Sequence, residues 1–263
     1  MDRDFEVEER SNMATPIIDA RVHVSRATAP WPKVQTLLRK AGIDSALLSM
    51  HPETTQPEHD MTLPRDVAAE DGPWAAYYVG GLPFEGYRRG PAEVPADFDR
   101  YSAVHIRSFL SPSLDFGGAT TSAHWDSERL EEAVGRDDLA AVIDAAHERD
   151  MPVWLIEHFP VTLALIERFP GVRFVIPRMG AMNGGSAAVV NALAGHAHIC
   201  FDTSGGEIHE SIVKRLGFRR ILFASGYPFN DPADCLDQLC AMDLHDEEIG
   251  AMAGGNFLEL IDT

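Results

Sequence analysis

Positively charged residues are scarce in this chain of 263 residues. Only 22 lysines and arginines stand against 41 acidic residues, so the formal net charge at pH 7 is −19. A protein with such an excess of negative charge repels the phosphates of nucleic acids and the headgroups of anionic membranes. We therefore expect neither a nucleic acid nor a membrane as a partner, and we leave a homo-oligomer open.

Cysteines and long apolar runs are also few. The three cysteines, Cys200, Cys235 and Cys240, form no C-x-x-C pair, which argues against a disulfide framework or a zinc ribbon and favours buried free thiols. No apolar run approaches the length of about 18 residues that a membrane span needs. The acidic stretch from Met1 to Asn12 has no apolar core of the kind found in signal peptides. The expected location is the cytoplasm.

From residue 16 onward, short apolar runs alternate with helical patterns, which predicts βα units and a parallel sheet. The predicted strands are 16–24, 43–50, 75–81, 102–110, 152–158, 172–178, 198–203 and 219–225. Eight strands in about 250 residues are typical of one (β/α)8 barrel. We therefore predict an α/β fold, a single-domain (β/α)8 TIM barrel over residues 15–263, preceded by a disordered acidic tail over residues 1–14.

Apolar periodicity also predicts individual helices. Leu139, Val142, Ile143 and Ala146 recur at i, i+3, i+4 and i+7, which places one apolar stripe on a helix. The ranges 52–73 and 83–99 lack such a pattern, and we interpret both as long loops at the mouth of the barrel. Near the C-terminus, Gly254-Gly255-Asn256 predicts the end of one helix and an N-cap for the next.

Two segments resemble a known family. One is Ile18-Asp19-Ala20-Arg21-Val22-His23-Val24, and the other runs from Arg220 to Phe229 and contains Ser225-Gly226-Tyr227-Pro228. They resemble the amidohydrolase superfamily, specifically its amidohydrolase-related branch of metal-dependent TIM-barrel hydrolases. That branch usually has Asp-x-His-x-His on its first strand and Ser-Asp-Tyr-Pro on its last. In this chain, Arg21 takes the place of the first histidine of that motif, and Gly226 takes the place of the aspartate.

The middle strands depart from the family pattern in a similar way. Arg178 occupies the histidine position of a family His-x-Gly, and Ile156 stands where a fifth-strand histidine is expected. His158 lies on the same face of the predicted strand as Ile156, but about 6–7 Å further along it. A guanidinium stays protonated and has no lone pair for a metal, whereas a catalytic zinc needs about three protein ligands. We therefore expect no catalytic metal and no cofactor.

Two arginines in place of two histidines predict an anion site instead of a cation site. Arg21 and Arg178 are predicted to hold a carboxylate or phosphate, with Arg107 as a third positive group and Asp202 among the substrate-binding residues. An alternative uses the same residues differently, since the two arginines can instead form internal salt bridges that fill the former metal cavity. The candidate acidic partners for those bridges are Asp202, Glu157 and Asp19.

The superfamily includes a metal-independent branch of lactonases that act on dicarboxylated pyrones, and this chain resembles that branch in its arginines. The lactonases also rely on the strand-eight aspartate, so here His23, His158 or Glu157 would serve as general base. The resulting hypothesis is a small-molecule hydrolase that acts on a lactone, amide or C–C bond of an anionic substrate without a catalytic metal. The alternative is a catalytically degenerate barrel that binds a small anionic ligand or a protein partner.

Overall fold

The computed structural model describes residues 15–51, 62–80, 91–111, 125–205, 208 and 210–262. The predicted acidic tail over residues 1–14 lies outside these ranges, as do residues 52–61 of the first predicted loop and residues 83–90 of the second.

Eight strands follow one another in the sheet in chain order. They are β1 (Ile18–Val24), β2 (Ser45–Met50), β3 (Trp74–Gly80), β4 (Ala103–Arg107), β5 (Val153–Ile156), β6 (Phe174–Ile176), β7 (Cys200–Asp202) and β8 (Ile221–Leu222). All six strand pairs from β1 to β7 are parallel. This is the topology of a (β/α)8 TIM barrel, so the predicted fold class is confirmed. Each predicted strand is present, and its ends differ from the prediction by no more than three residues.

Helices alternate with these strands along the chain. Within the described ranges they are α1 (Trp31–Lys40), α2 (Leu63–Asp71), α3 (Ser127–Val134), α4 (Asp137–His147), α5 (Phe159–Arg168), α6 (Ser186–Leu193), α7 (Glu210–Leu216), α8 (Pro232–Cys240), α9 (Asp246–Gly250) and α10 (Asn256–Ile261). Short 3-10 segments lie at Phe98–Arg100, Pro177–Asn183 and Phe218–Arg220, and a π-helical segment lies at Ala251–Gly255.

Contacts group the chain into two compact units, Met1–Ala75 with Asp202–Thr263 and Ala76–Phe201. In this first unit, β1 pairs with β2, and an irregularity between Asp19 and Val22 shifts the register. The residues after β8 return to β1, because the carbonyl of Phe223 accepts from the N–H of Ala20 at 2.9 Å. The N–H of Gly226 donates to the carbonyl of Arg21 at 3.0 Å. The segment that follows β8 therefore lies directly beside β1.

The second unit contains the central strands. In the register of β4 and β5, Arg107 lies opposite Ile156. Every residue of β4, β5 and β6 is buried, as expected for parallel strands that are covered on both faces. Arg107 is the last residue of β4, and Glu157 and Arg178 follow shortly after β5 and β6.

Helix α4 confirms the clearest periodicity in the sequence. Its buried residues are the four predicted ones, Leu139, Val142, Ile143 and Ala146. Two aspartates lie in its first turn, where negative charge interacts favourably with the helix dipole.

The prediction of one long loop over residues 52–73 was wrong in its second half, which forms α2. This helix begins with Pro64 in its first turn, and Gly72 ends it in the left-handed conformation with φ 83°. The N–H of Gly72 donates to the carbonyl of Ala68, and Pro64 and Val67 bury the inner face. The helix buries so few apolar residues that hydrophobic periodicity could not reveal it.

Two further predictions near the C-terminus were wrong. Gly254 and Gly255 do not end a helix, because the chain continues from α9 through the π-helical segment into α10. A Cβ on Gly254 would meet the carbonyl oxygen of Pro16 at 1.9 Å, so glycine serves close backbone approach at this position. The side chain of Asn256 caps no helix; it donates to the carbonyls of Phe218 and Ile221.

The three cysteines are free, as predicted, but only partly buried. Within the described ranges, no helix has both the length and the apolar character needed to cross a lipid bilayer.

Candidate functional site

Arg21 lies in β1 with only 5% of its surface exposed. Its Nη1 donates to the Oγ of Ser204 at 2.7 Å and lies 4.0 Å from Oδ2 of Asp202. The same serine hydroxyl donates to Oδ1 of Asp202. The guanidinium is therefore linked to this carboxylate both directly and through the serine, which is the pairing that the sequence left open as the alternative to anion binding.

His23, two residues further along β1, is fully buried. Its Nδ1 lies 3.1 Å from the carbonyl oxygen of Met50, the last residue of β2. The ring centroid lies 6.3 Å from that of His51 and 5.9 Å from that of Phe229, which meets the imidazole edge-on. Phe229 is 42% exposed, so an aromatic side chain at the surface borders the buried imidazole.

Asp19, at the other side of Arg21 in β1, connects this strand to the segment after β8. Its Oδ1 accepts from the backbone N–H of Ser225 at 2.9 Å and from that of Arg21 at 3.1 Å. Its Oδ2 accepts from the hydroxyl of Ser225 at 2.5 Å. Burial raises the pKa of Asp19 from 3.8 to about 7, although its hydrogen bonds act in the opposite direction. The first acidic residue of the motif thus stabilises the junction of the first and last strands.

Gly226 has a left-handed backbone with φ 68°. A Cβ built there would lie 3.1 Å from the Cβ of Ser204, closer than most real contacts of this kind. An aspartate at this position would therefore need a strained backbone and a shift of the serine that holds Arg21. The glycine found in the sequence fits the observed backbone.

In the second unit, Arg107 ends β4 and is 5% exposed. The next residue, Ser108, has a left-handed backbone with φ 48°, which is uncommon outside glycine. The N–H of Ser108 nevertheless donates to the carbonyl of Ile156, so the chain stays attached to β5 up to this point. Arg107 is therefore held at the carboxyl end of its strand, where barrel proteins carry their sites.

Glu157 follows β5 and is completely buried. Its carboxylate accepts from three successive backbone N–H groups: those of Phe109 at 2.6 Å, Leu110 at 3.0 Å and Ser111 at 2.9 Å. Burial raises the pKa of Glu157, while these hydrogen bonds lower it. The geometry makes Glu157 an anchor for the segment after β4, and its oxygens are already committed to that segment.

His158 precedes α5 and is 6% exposed. Its Nδ1 lies 3.0 Å from the indole Nε1 of Trp125, which can only donate. Its backbone N–H donates to the Oγ of Ser111, and its carbonyl accepts from the N–H of Thr162. Both the backbone and the ring of His158 are thus held by specific partners, and Ser111 connects them to the anchor at Glu157.

Arg178 lies just beyond β6 in the segment Pro177–Asn183. Arg178, Met179 and Gly180 all have a left-handed backbone, with φ values of 54°, 50° and 82°. For non-glycine residues this conformation costs roughly 1–2 kcal/mol each. The turn is held by Asn183, whose Nδ2 donates to the carbonyl of Leu155 and to Oγ1 of Thr162. The Nη1 of Arg178 lies 3.6 Å from the Sδ of Met182.

Arg21, His23 and Asp202 belong to the first unit, whereas Arg107, Glu157, His158 and Arg178 belong to the second. A joint grip of Arg21 and Arg178 on one anion therefore stays a prediction. Sequence reasoning did not identify the polar residues that hold these groups, namely Ser204, Ser111, Trp125 and Asn183. Of these, only Ser204 had a signal in the sequence, because it lies two residues after the predicted substrate-binding residue Asp202, just beyond β7.

The side chains at the candidate site can be compared with the ligands that a divalent cation requires. Among the residues with a described position, no three His, Cys, Asp or Glu side chains group closely enough to hold a metal ion. At two positions where the family motif has a ligand, this chain has the cation Arg21 and the side-chain-free Gly226. These residues do not fit a metal, since neither supplies a lone pair from its side chain.

Charged and imidazole side chains at the carboxyl ends of parallel strands define this chain as a (β/α)8 barrel with a polar candidate site. The particular family follows from comparison. The chain belongs to the amidohydrolase family, whose model matches residues 113–260. Among curated proteins, none matches the sequence significantly.

Solved structures give the same fold. A candidate 2-pyrone-4,6-dicarboxylic acid hydrolase from Pseudomonas putida is 15% identical, with a TM-score of 0.64 and coverage of 94% of this chain and 98% of that one. A zinc-bound amidohydrolase from Burkholderia multivorans is 12% identical, with a TM-score of 0.62 and coverage of 94% and 99%. The 2,6-dihydroxybenzoate decarboxylase of Rhizobium is 12% identical, with a TM-score of 0.56 and coverage of 94% and 99%. At these identities the likeness concerns the fold.

Proposed function

We propose that this member of the amidohydrolase family is a hydrolase that acts on a small anionic substrate without a catalytic metal. The observation that carries the proposal is the position of Arg21. A nearly buried guanidinium, held at 2.7 Å by Ser204, stands where the family motif has a metal-binding histidine. The positive charge that a metal would supply is in this way supplied by a side chain.

The chemistry of the neighbouring positions supports a site without metal. Asp202 is already hydrogen-bonded to Ser204 and paired with Arg21. The left-handed backbone of Gly226 disfavours the aspartate that would complete the family set. A cation placed among these groups would be repelled by the guanidinium at close range.

An anionic substrate follows from the same charge. A planar guanidinium binds carboxylates and phosphates through two parallel N–H donors. With a net charge of −19, the protein as a whole repels anions, so an anionic ligand requires a local cluster of arginines. Two of the structural relatives are named for carboxylic acids, 2-pyrone-4,6-dicarboxylic acid and 2,6-dihydroxybenzoate. We extend that substrate class to this chain as part of the proposal.

Hydrolysis without metal requires a general base. In the proposed reaction, a histidine takes a proton from water as the water oxygen forms a bond to the acyl carbon, and the same proton then goes to the leaving oxygen or nitrogen. A neutral imidazole is suited to this step at neutral pH. Glu157 is less suited, because both its oxygens already accept backbone N–H groups. That leaves His23 and His158 as the candidates.

A second candidate function is a non-catalytic barrel that binds a small anion or a protein partner. The observation that favours it is the 4.0 Å pairing of Arg21 with Asp202, which is one of the internal salt bridges that the sequence left open. Such a pair fills space with charges whose mutual attraction offsets the cost of burying them. Ligand binding without turnover would identify this second function.

The proposal also includes the cytoplasm as the location of the protein and the absence of nucleic acid and membrane partners. The exclusion of these partners rests on the net charge of −19, and the location rests on the apolar runs, which are all shorter than a membrane span; a homo-oligomer is compatible with both. Fractionation of cells that express the tagged chain tests the location.

The decisive experiment is a substrate panel of carboxylated lactones and amides, including 2-pyrone-4,6-dicarboxylate. Each compound is assayed with and without chelator, and the metal content of the protein, purified without chelator, is measured in parallel. We expect turnover that chelator leaves unchanged and far less than one equivalent of zinc, iron or manganese. Stoichiometric metal together with loss of activity in chelator would overturn the proposal. Binding without turnover across the panel would favour the second candidate.

A further inference from the structure

We propose that Phe229 is a specificity-determining residue, whose ring stacks on a planar, unsaturated ring of the substrate. The inference rests on the proposed function, which assigns an anionic group of that substrate to Arg21. It adds the class of compound: a carboxylate carried by a flat ring, in preference to one carried by a saturated ring or an open chain. The residues that carry the inference all belong to the first unit.

Phe229 is an aromatic side chain at the surface. It is 42% exposed, and among the described residues only Val94, at 39%, is a second large apolar side chain with comparable exposure. Single exposed apolar residues are common on soluble proteins, so the exposure alone assigns no role. The role follows from the groups that the ring contacts.

The ring of Phe229 packs on two imidazoles. Its centroid lies 5.9 Å from that of His23, at an interplanar angle of 78°, and 5.5 Å from that of His51, at 45°. His23 lies near the carboxyl end of β1, and His51 directly follows β2. Barrel proteins carry their sites at this end of the strands. Phe229 therefore borders the candidate site, with part of its surface open to solvent.

The turn that carries Phe229 is fixed by its backbone contacts. The carbonyl of Tyr227 accepts from the N–H of His23 at 2.8 Å, and the N–H of Phe229 donates to the carbonyl of Gly226 at 3.2 Å. The Nδ2 of Asn230 donates to the carbonyl of Ser225 at 2.8 Å. A ring held in this way loses little conformational freedom when a ligand binds, so most of the contact energy appears as affinity.

The group assigned to the anion lies in the same strand as His23. Arg21 and His23 are two residues apart in β1, which corresponds to about 6–7 Å along an extended chain. The N–H of Gly226 donates to the carbonyl of Arg21 at 3.0 Å, so the turn that carries Phe229 begins beside Arg21. A carboxylate paired with Arg21 would thus have the ring to which it is bonded within reach of Phe229.

Stacking on Phe229 distinguishes flat rings from saturated ones. A saturated ring of the same size buries a similar apolar area but has no π system. Aromatic rings attract each other in offset-stacked or edge-to-face arrangements, beyond the effect of the buried area. That additional attraction corresponds to about a two- to tenfold difference in Kd.

A matched pair of ligands tests this preference without any turnover. Benzene-1,3-dicarboxylate and cis-cyclohexane-1,3-dicarboxylate both carry two carboxylates on a six-membered ring, and only the first ring is planar. Titration calorimetry on the full chain measures both Kd values. We expect the planar ligand to bind about two- to tenfold more tightly. Equal affinities would overturn the inference and leave the anion site of the proposed function intact.

Variants of Phe229 test whether this residue causes the preference. Phe229→Leu keeps an apolar side chain without a π system, and we expect the ratio of the two Kd values to fall to about one. Phe229→Tyr keeps the ring and should retain the preference. Phe218→Leu is the matched control, because Phe218 precedes β8 whereas Phe229 follows it. An unchanged ratio in Phe229→Leu would show that another group selects the ligand.

Contact between the two rings can be observed directly in the wild-type protein. With labelled phenylalanine, nuclear Overhauser effects connect ring protons of bound benzene-1,3-dicarboxylate to the phenylalanines that they touch. The signals that disappear in Phe229→Leu belong to Phe229. We expect such effects at Phe229 and none at Phe218. Their absence at Phe229 in the saturated complex would overturn the inference, whatever the stability of the variants.

Kinetics separate ring binding from a merely structural role. With 2-pyrone-4,6-dicarboxylate as the probe, we expect Phe229→Leu to raise KM about two- to tenfold, with kcat nearly unchanged, and Phe229→Tyr to restore the wild-type KM. A fall in kcat at constant KM would contradict a role in ring binding. If the preference depends on Phe229 but the wild-type protein hydrolyses no member of the panel, the proposed function fails and the inference stands. If the folded wild-type protein binds neither dicarboxylate, both are wrong.

Discussion

The hydroxyl of Ser204 lies 2.7 Å from the guanidinium of Arg21 and also donates to Asp202. Ser204 therefore links the buried cation Arg21 to the buried anion Asp202 through its hydroxyl group. An incoming carboxylate or phosphate would compete with Asp202 for the same guanidinium. A ligand and Asp202 would thus pair with the same guanidinium. Mutation of Arg21, alone or together with Asp202, can therefore distinguish ligand binding from internal pairing.

Replacing Arg21 alone should cost more than replacing the pair. Arg21→Met leaves the fully buried Asp202 without its opposite charge, which typically lowers the free energy of unfolding by about 3–5 kcal/mol. The double variant Arg21→Met/Asp202→Leu should cost less, because it leaves no buried charge without its partner, although the buried N–H and hydroxyl of Ser204 lose their acceptor. Urea denaturation measures both. Arg129→Met is the control, since that arginine is 66% exposed.

The same variants should also lose any ligand effect. A bound ligand raises the apparent stability by RT ln(1 + [L]/Kd). With 2-pyrone-4,6-dicarboxylate as the probe, we expect this increase in the wild-type protein and its loss in Arg21→Met and in the double variant. Thermal unfolding at increasing ligand concentration is the measurement. An unchanged ligand response in either variant would remove Arg21 from the binding site.

Restoring the family aspartate should destabilise the protein. Gly226→Asp must adopt φ 68° and contact Ser204, so we expect a loss of about 1–3 kcal/mol in the free energy of unfolding. Gly226→Ala, which adds only a Cβ, should show a loss of similar size if the backbone is the cause. A stability equal to that of the wild-type protein in both variants would show that the backbone relaxes freely there.

The combined variant Arg21→His/Arg178→His/Gly226→Asp tests whether the three positions that depart from the family motif can together hold a metal ion. We expect it to take up zinc in titration calorimetry, at the cost of the strain at position 226, because it restores three family residues at once. The single variant Gly226→Asp serves as control and should bind no zinc. A folded triple variant that takes up no zinc would show that these three positions do not surround one cavity.

Glu157→Gln should loosen the segment after β4. The glutamine keeps one oxygen and brings an NH2 group against backbone N–H donors, so at least one buried donor loses its acceptor, at a cost of about 1–3 kcal/mol. Hydrogen exchange at Phe109, Leu110 and Ser111 should accelerate, since these are the N–H groups that the carboxylate binds. Glu132→Gln on the exposed side of α3 is the control. Unchanged exchange at all three amides would contradict the anchoring role.

Asp19 should make stability depend on pH. Its pKa is about 7 in the folded protein and near 3.8 in the unfolded chain. Between these values the folded carboxyl keeps a proton that the unfolded one has released, so its stabilising contribution is full below pH 3.8 and is lost as pH rises toward 7. The slope is at most about 1.4 kcal/mol per pH unit. Asp19→Asn should remove this slope in urea denaturation between pH 4 and 7; parallel curves for both proteins would contradict it.

Much of the fold was predictable because its signals are local. All eight strands were found as apolar runs, since parallel strands covered on both faces contain few polar residues. Helix α4 was identified from the helical spacing of its apolar residues Leu139, Val142, Ile143 and Ala146. The helix over Leu63–Asp71 was missed because it buries only Pro64 and Val67, and its start depends on a proline and its end on a glycine.

The sequence by itself determined which residue types stand at the strand ends, and so where Arg21, His23, His158 and Asp202 would lie along the chain. It could not determine what each of them contacts, because hydrogen-bond partners come from segments that are distant in sequence. Ser204 is 183 residues from Arg21, and Trp125 is 33 residues from His158. Only the tertiary structure decided that a serine links the guanidinium to Asp202 and that Trp125 and Met50 give two histidines opposite partners. Residue type limits what a group can do, and the packing of strands and loops selects which of those roles its neighbours permit.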